Sequence, residues 1–166
     1  IPVGRDIGAD MSLLESVENV NVSRIERLLA KLVGSLGAIE SKNLALLGLS
    51  FKAGTDDVRE SPSIKIVEHL RSAGAQLRLH DPMATDAFRE LFPEIPGILE
   101  YYPSAYDAAH GADALLILTA WPEYAKLDLR KLLALQSRPV VVDGRNVFDP
   151  ATMRELGFEY TSVGRP

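Results

Sequence analysis

The feature that most constrains the fold is an alternation between short apolar runs and helical segments. NLALLGLSF (43–51), AQLRLHDP (75–82), ADALLILTAW (112–121) and PVVVDGRN (139–146) have the length and apolar content of buried strands. GILEYY (97–102) and FEYTSVGR (158–165) add a third and a last strand. Helical segments separate them. SPSIKIVEHLRSAG carries Ser61 as N-cap, Pro62 at the first position and Gly74 as stop. ATDAFRELFP, SAYDAAHG, LDLRKLLALQ and DPATMRELG follow in turn. Continuous apolar strands joined by helices predict a doubly wound α/β fold. Its sheet is mostly parallel, of about six strands, and covered by helices on both faces.

A long helix precedes this unit. Leu14, Val17, Ile25, Leu28, Leu29, Leu32 and Leu36 fall mostly at helical spacing over residues 10–36, with Asp10 as a candidate cap and Gly37 after the last turn. At ~1.5 Å per residue the helix is about 40 Å long, well beyond the ~12-residue average. Residues 1–38 therefore read as a linker or dimerisation helix and 39–166 as the α/β domain. The alternative is a first helix of the domain itself, kinked near Gly34. The opening IPVGRDIGADMS, with Met11 internal, reads as part of a longer chain.

Composition narrows the function. The net charge of −5 supplies no broad basic field for nucleic acid, so an anionic ligand must be met by a few placed cations. No apolar run approaches the ~20 residues of a bilayer span. The absence of cysteine removes disulfides, thiolate metal sites and thiol nucleophiles, and accords with a cytoplasmic protein. His69, His80 and His110 sit in separate elements without ligand spacing. No GxSxG elbow occurs, and the pair Asp56-Asp57 reads as loop rather than metal site.

In doubly wound sheets ligands bind beyond the carboxyl ends of the strands, at the switch in strand order. The residues expected there are Ser50, Phe51, Lys52 and AGTDDVRE after the first strand, Asp81 after the second, Thr119-Ala120-Trp121 after the buried one, and Asp143-Gly144-Arg145-Asn146 after the next. Phe51 and Trp121 offer flat surfaces to a base or sugar, or else cap the core and pack a loop. Lys52 and Arg59 suit phosphate, or else pair with Asp56, Asp57 or Glu60. The free amides at the helix start by Ser61 could add to an anion site. Arg145 is the strongest ligand candidate, because Gly144 permits a sharp turn that aims it at the open edge. Asp81 occupies the place of a ribose-binding acid. However, only Gly48 of the glycine fingerprint is present, so a cap or turn role suits Asp81 better.

The stretches LLGLSFKAGTDDVRESPSIKIVEHL, DP, GADALLILTAWPEY and VVVDGRN, with the helix LLESVENVNVSRIERLLAKL and the ending FEYTSVGRP, closely resemble the C-terminal region of the nucleotide-sugar dehydrogenases, in their UDP-glucose 6-dehydrogenase branch. The resemblance spans nearly the whole chain. It implies a Rossmann-like UDP-binding domain plus much of a central helix that helps form a dimer or higher homo-oligomer. Such enzymes hold NAD mainly on an N-terminal Rossmann domain. They oxidise the C6 alcohol to a carboxylate in two steps through a thioester on a cysteine. This chain carries neither that domain nor the cysteine, so the resemblance implies no catalytic residue here. The family's substrate contacts fall on Phe51, Lys52 and Arg145, and its cofactor-reaching arginine falls on Arg59. Rival readings are a dehydrogenase of another nucleotide sugar (UDP-N-acetyl-hexosamine or GDP-mannose), a receiver-like domain, or an assembly module. A receiver domain needs an acidic pair directly after the first strand and a late lysine; here those places hold Phe51-Lys52 and Arg145.

Overall fold

The computed structural model describes residues 12–164, with side chains at position 20 and from 23 onward. The expected cap at Asp10 lies outside these residues. Helix α1 runs Ser12–Leu36, and then strands and helices alternate: β1 Asn43–Leu47, α2 Pro62–Ser72, β2 Gln76–His80, α3 Thr85–Leu91, β3 Leu99–Tyr101, α4 Ala105–Ala109, β4 Ala114–Ile117, α5 Leu129–Leu135, β5 Val140–Asp143, α6 Pro150–Glu155 and β6 Glu159–Ser162. A short 3-10 turn, Tyr124–Lys126, was not anticipated from the sequence.

The six strands form one parallel sheet in the order β3-β2-β1-β4-β5-β6, the expected doubly wound arrangement. Side-chain alternation divides the core in two. Leu44 and Leu46 of β1 join Leu77, Leu79, Leu116 and Val142 on one face, under α1, α2 and Phe88 of α3. Ala45 and Leu47 join Leu115, Ile117 and Val141 on the other, under α4, α5 and α6. All of β4 and β5, and all of β1 but Asn43, are buried, which is why these runs read as continuously apolar.

The helix ends follow from local chemistry. Ser61, Ser104, Asp128 and Asp149 each accept a first-turn amide with their side chains. Helix α3 has no side-chain cap at Ala84; instead Asp81 Oδ1 accepts from Met83 N at 2.9 Å and Ala84 N at 2.8 Å. The proline-rich loop FPEIPG closes with an antiparallel bridge between Ile95 and Leu99.

The second half of α1 belongs to the sheet's cover. Crossovers α2 and α3 cover β1–β3 on the first face, and α1 packs over β5 and β6 beside them. Leu28, Leu29, Leu32 and Leu36 are buried there, each contributing about 1.5–3 kcal/mol of burial. Arg138 Nη2 donates to Ser35 O at 3.2 Å and pins the helix end. Gly37, at φ 80°, turns the chain toward β1.

Candidate functional site

The switch in strand order falls between β1 and β4, so the loops leaving these strands part to opposite faces. The β5 loop lies beside them on the same edge. This places Phe51-Lys52 and Arg145 on loops that flank the β4 loop. Hydrogen bonds join all three. Thr119 Oγ1 donates to Ser50 O at 2.7 Å, immediately before Phe51. Arg145 Nε donates to Leu118 O at 2.6 Å, immediately before Thr119.

Phe51 and Lys52 are both exposed. Phe51, at 48% exposure, caps nothing in the core, and its N–H donates to Asp57 O at 2.8 Å, closing the loop on itself. Arg59 lies on the far limb of that loop. Its Nε and Nη2 both reach the Asp57 carboxylate, at 3.0 and 2.9 Å. These side-chain contacts, with the Arg59 amide, hold the Asp57 pKa at about 2; the nearby charges of Arg59 and Lys52 add to the effect. The pair is exposed, so Arg59 can exchange this partner for another at small cost.

Arg145 is braced at both its backbone and its side chain. Its N–H donates to Asp143 Oδ1 at 2.9 Å, while Asp143 Oδ2 accepts from Phe148 N and the Tyr160 hydroxyl. Although the residue remains exposed, its guanidinium is partly desolvated by the surrounding chain. Arg24 on α1 is a second positive charge nearby, and the two effects lower the Arg145 pKa from the ordinary arginine value. The chain bends at Gly144 and Arg145 as expected, but without a left-handed φ at Gly144. The left-handed residue here is Asn146, at φ 56°. Gly144 is required because a Cβ would lie 2.6 Å from Leu28 Cδ1 and 2.9 Å from Ile117 O. Asn146 Oδ1 is buried without a hydrogen-bond partner.

Trp121 offers no flat surface to a ligand. It is buried, and its indole Nε1 donates toward Ser50 Oγ and Asp81 Oδ2, at 3.2 and 3.1 Å. The start of α2 is likewise turned inward: Ser61 Oγ donates to Leu49 O at 2.8 Å and Ser63 Oγ to Gly48 O at 2.9 Å. Gly48 itself, at φ 97°, brings β1 against β4, where a Cβ would lie 2.5 Å from Thr119 N.

Sequence reasoning gave Asp81 a turn role, and its reach exceeds that. Oδ1 accepts the two α3 amides, and Oδ2 accepts Leu49 N at 2.7 Å, Ser50 N at 3.1 Å, Ser50 Oγ at 3.1 Å and the Trp121 indole. Burial opposes its charge, yet these amides outweigh burial and its pKa lies below the usual carboxylate range. Next to it His80 is buried, with Nδ1 at 3.1 Å from the Tyr124 hydroxyl; burial lowers its pKa.

Two hollows stand out among the described residues. One, of about 400 Å³, lies beyond β2 and β3 and includes Asp81, Met83, Arg89, Tyr101 and Tyr102. The other, of about 410 Å³, lies between α1 and α2 along Ile25, Glu26, Leu29, Lys65 and His69. Neither is lined by Phe51, Lys52, Arg59 or Arg145. Phe51, Lys52, Arg59 and Arg145 are all exposed. Among the described residues no acidic, histidine or cysteine cluster could hold a metal, and no helix is long and apolar enough to cross a membrane.

Residues 45–150 match the model of the UDP-glucose/GDP-mannose dehydrogenase family, UDP binding domain. The chain is 40% identical to UDP-glucose 6-dehydrogenase of Pseudomonas aeruginosa over 96% of its length and 36% of the relative's. It is 35% identical to UDP-glucose 6-dehydrogenase TuaD of Bacillus subtilis, over its whole length and 35% of the relative's. It thus spans about a third of the curated relatives it matches. Among solved structures, a UDP-glucose dehydrogenase from Pyrobaculum islandicum superposes with a TM-score of 0.76 at 32% identity, over 89% of this chain and 32% of that one.

Proposed function

The chain belongs to the UDP-glucose/GDP-mannose dehydrogenase family, and from that premise we propose that it is the UDP-sugar-binding domain of an NAD-dependent UDP-glucose 6-dehydrogenase. The observation that carries this reading is the shared rim. The loops bearing Phe51-Lys52 and Arg145 flank the β4 loop and are bonded to it through Ser50–Thr119 and Leu118–Arg145. In this reading Phe51 packs against the substrate and the exposed Lys52 meets a phosphate or sugar oxygen. Arg145, with Nε already engaged, presents its terminal nitrogens to a second acceptor.

These residues hold the substrate and break no bond. Their work is to place C6 where a cofactor and a reacting thiol on other parts of the protein can meet it. Orientation of this kind is worth up to about 7–11 kcal/mol of barrier in favourable cases, and it draws on binding energy remote from the reacting carbon. NAD would supply the hydride acceptor. In this reading the exposed Arg59 reaches it; no glycine fingerprint is present, and Asp81 is taken up by protein donors. In the same reading residues 1–38 link this domain to the rest of the protein and support a homodimer, with Val20 among the exposed apolar residues on that helix.

Two-dimensional amide NMR of the chain during titration with UDP tests the proposal. Shifts should concentrate at residues 50–53, 119–121 and 144–146. A flat response at millimolar UDP would overturn it. A panel of UDP-glucose, UDP-N-acetyl-hexosamines and GDP-mannose on the intact enzyme separates the sugars. UDP-glucose is favoured because the 40% and 35% identical relatives are UDP-glucose 6-dehydrogenases.

A further inference from the structure

The loop that carries Phe51 and Lys52 has little of its own to hold it. Both side chains are exposed, Gly54 follows at φ 82°, and the loop's internal closure is the Phe51 N–H to Asp57 O bond. Besides the bonds of Thr119 Oγ1 to Ser50 O and of Ser61 Oγ to Leu49 O, its root is held by a carboxylate from a different strand. Asp81, at the end of β2 and only 4% exposed, accepts Leu49 N, Ser50 N and Ser50 Oγ from the β1 loop and the Trp121 indole from the β4 loop. Its other oxygen takes the α3 amides. Three loops of the carboxyl edge therefore converge on one buried charge. In a dinucleotide fold an acid at this strand end faces outward to a ribose; here it is turned inward and its lone pairs are filled by protein donors.

We propose that Asp81 is a positioning residue for UDP-sugar binding: its inward-facing carboxylate pre-orders the Ser50-Phe51-Lys52 segment and the Trp121 loop, so that the ligand does not have to order them. The inference rests on the reading of the rim as a UDP-sugar site. An unfixed loop gives up conformational freedom when it binds, at a cost on the order of tenfold in affinity for each immobilised side chain. Thr85 belongs to the same turn but serves it differently, its Oγ1 donating to the Asp81 main-chain oxygen at 2.9 Å. It supplies a control that perturbs the turn and spares the carboxylate.

The test compares the chain with Asp81→Asn, Trp121→Phe and Thr85→Ala. Without ligand, Asp81→Asn should lower the backbone order parameters of Ser50, Phe51 and Lys52. It should also shift the emission of Trp121, the single tryptophan of the chain, to longer wavelength. With UDP as the probe, Asp81→Asn should bind about tenfold or more weakly and Trp121→Phe a few-fold more weakly. Thr85→Ala should lower the melting temperature and leave affinity unchanged. An Asp81→Asn protein that loses stability yet keeps loop order and UDP affinity would reduce Asp81 to a fold residue and overturn the proposal. Should Asp81→Asn not fold, wild-type affinity and loop order in Trp121→Phe would overturn it instead. If the unaltered chain binds no UDP, the reading of the site fails, and the ligand-free order parameters still decide whether Asp81 orders the loop.

Discussion

The Nε of Arg145 donates to the main-chain oxygen of Leu118 across 2.6 Å. That bond fixes the plane of the guanidinium and leaves its two terminal nitrogens for a ligand. Lysine has one nitrogen and no fixed plane, so it can keep the bond to Leu118 or reach outward. Arg145→Lys is expected to weaken UDP binding about tenfold, the scale of one charge-assisted hydrogen bond, with little change in melting temperature. Isothermal titration on both proteins reads the difference. Equal affinities would remove Arg145 from the site.

Gly48→Ala tests the close approach of β1 to β4. The new methyl would sit 2.5 Å from Thr119 N, on backbone held at φ 97°. Strain and clash together should cost about 2–4 kcal/mol, read as a lower urea midpoint. Because Thr119 also holds Ser50 O, the amides of Ser50 and Phe51 should move in the same protein.

Whether α1 is an appendage or part of the domain is read by one side chain. Leu32 is fully buried in the sheet-face core, whereas Val20 on the same helix is 50% exposed. Leu32→Ala should destabilise the whole domain by about 2–5 kcal/mol, and Val20→Ala should leave denaturant unfolding nearly unchanged. A small effect at Leu32 would mean that the helix docks only loosely.

Acid should weaken the fold in two stages. Burial holds the His80 pKa below its ordinary value, outweighing the charges of Asp81, Glu123 and Asp107. The unfolded chain therefore takes up a proton first, and stability falls as pH drops below about 6.5 toward the folded pKa. Asp81, also lowered, contributes stability that is complete above about pH 3.9 and is lost as pH falls further, through its folded pKa. Melting temperature measured from pH 8 to 3 should show both declines. His80→Phe should flatten the first and leave the second.

Much of the fold was legible because the determinants are local. The apolar runs, the caps at Ser61 and Asp149 and the stop at Gly74 each act within a few residues, and the strands and helices lie where these signals place them. The rim followed as well, since strand order alone sends Phe51-Lys52 and Arg145 to one edge. What the sequence hid depends on loops meeting in space. Trp121 reads as a ligand surface or as loop packing, and its indole turned toward Asp81 decides for packing. The Asp81 carboxylate serves Leu49 and Ser50, more than thirty residues away. Gly144 reads as a turn residue, but a Cβ there would also meet the Ile117 main-chain oxygen and a leucine on α1, which no local pattern could supply.

That contact between Gly144 and Leu28 has a mechanical consequence. The helix is seated against the residue next to Arg145, and it also packs over β5 and β6. Any shift of α1 would therefore press on the backbone beside Arg145 and on the sheet together.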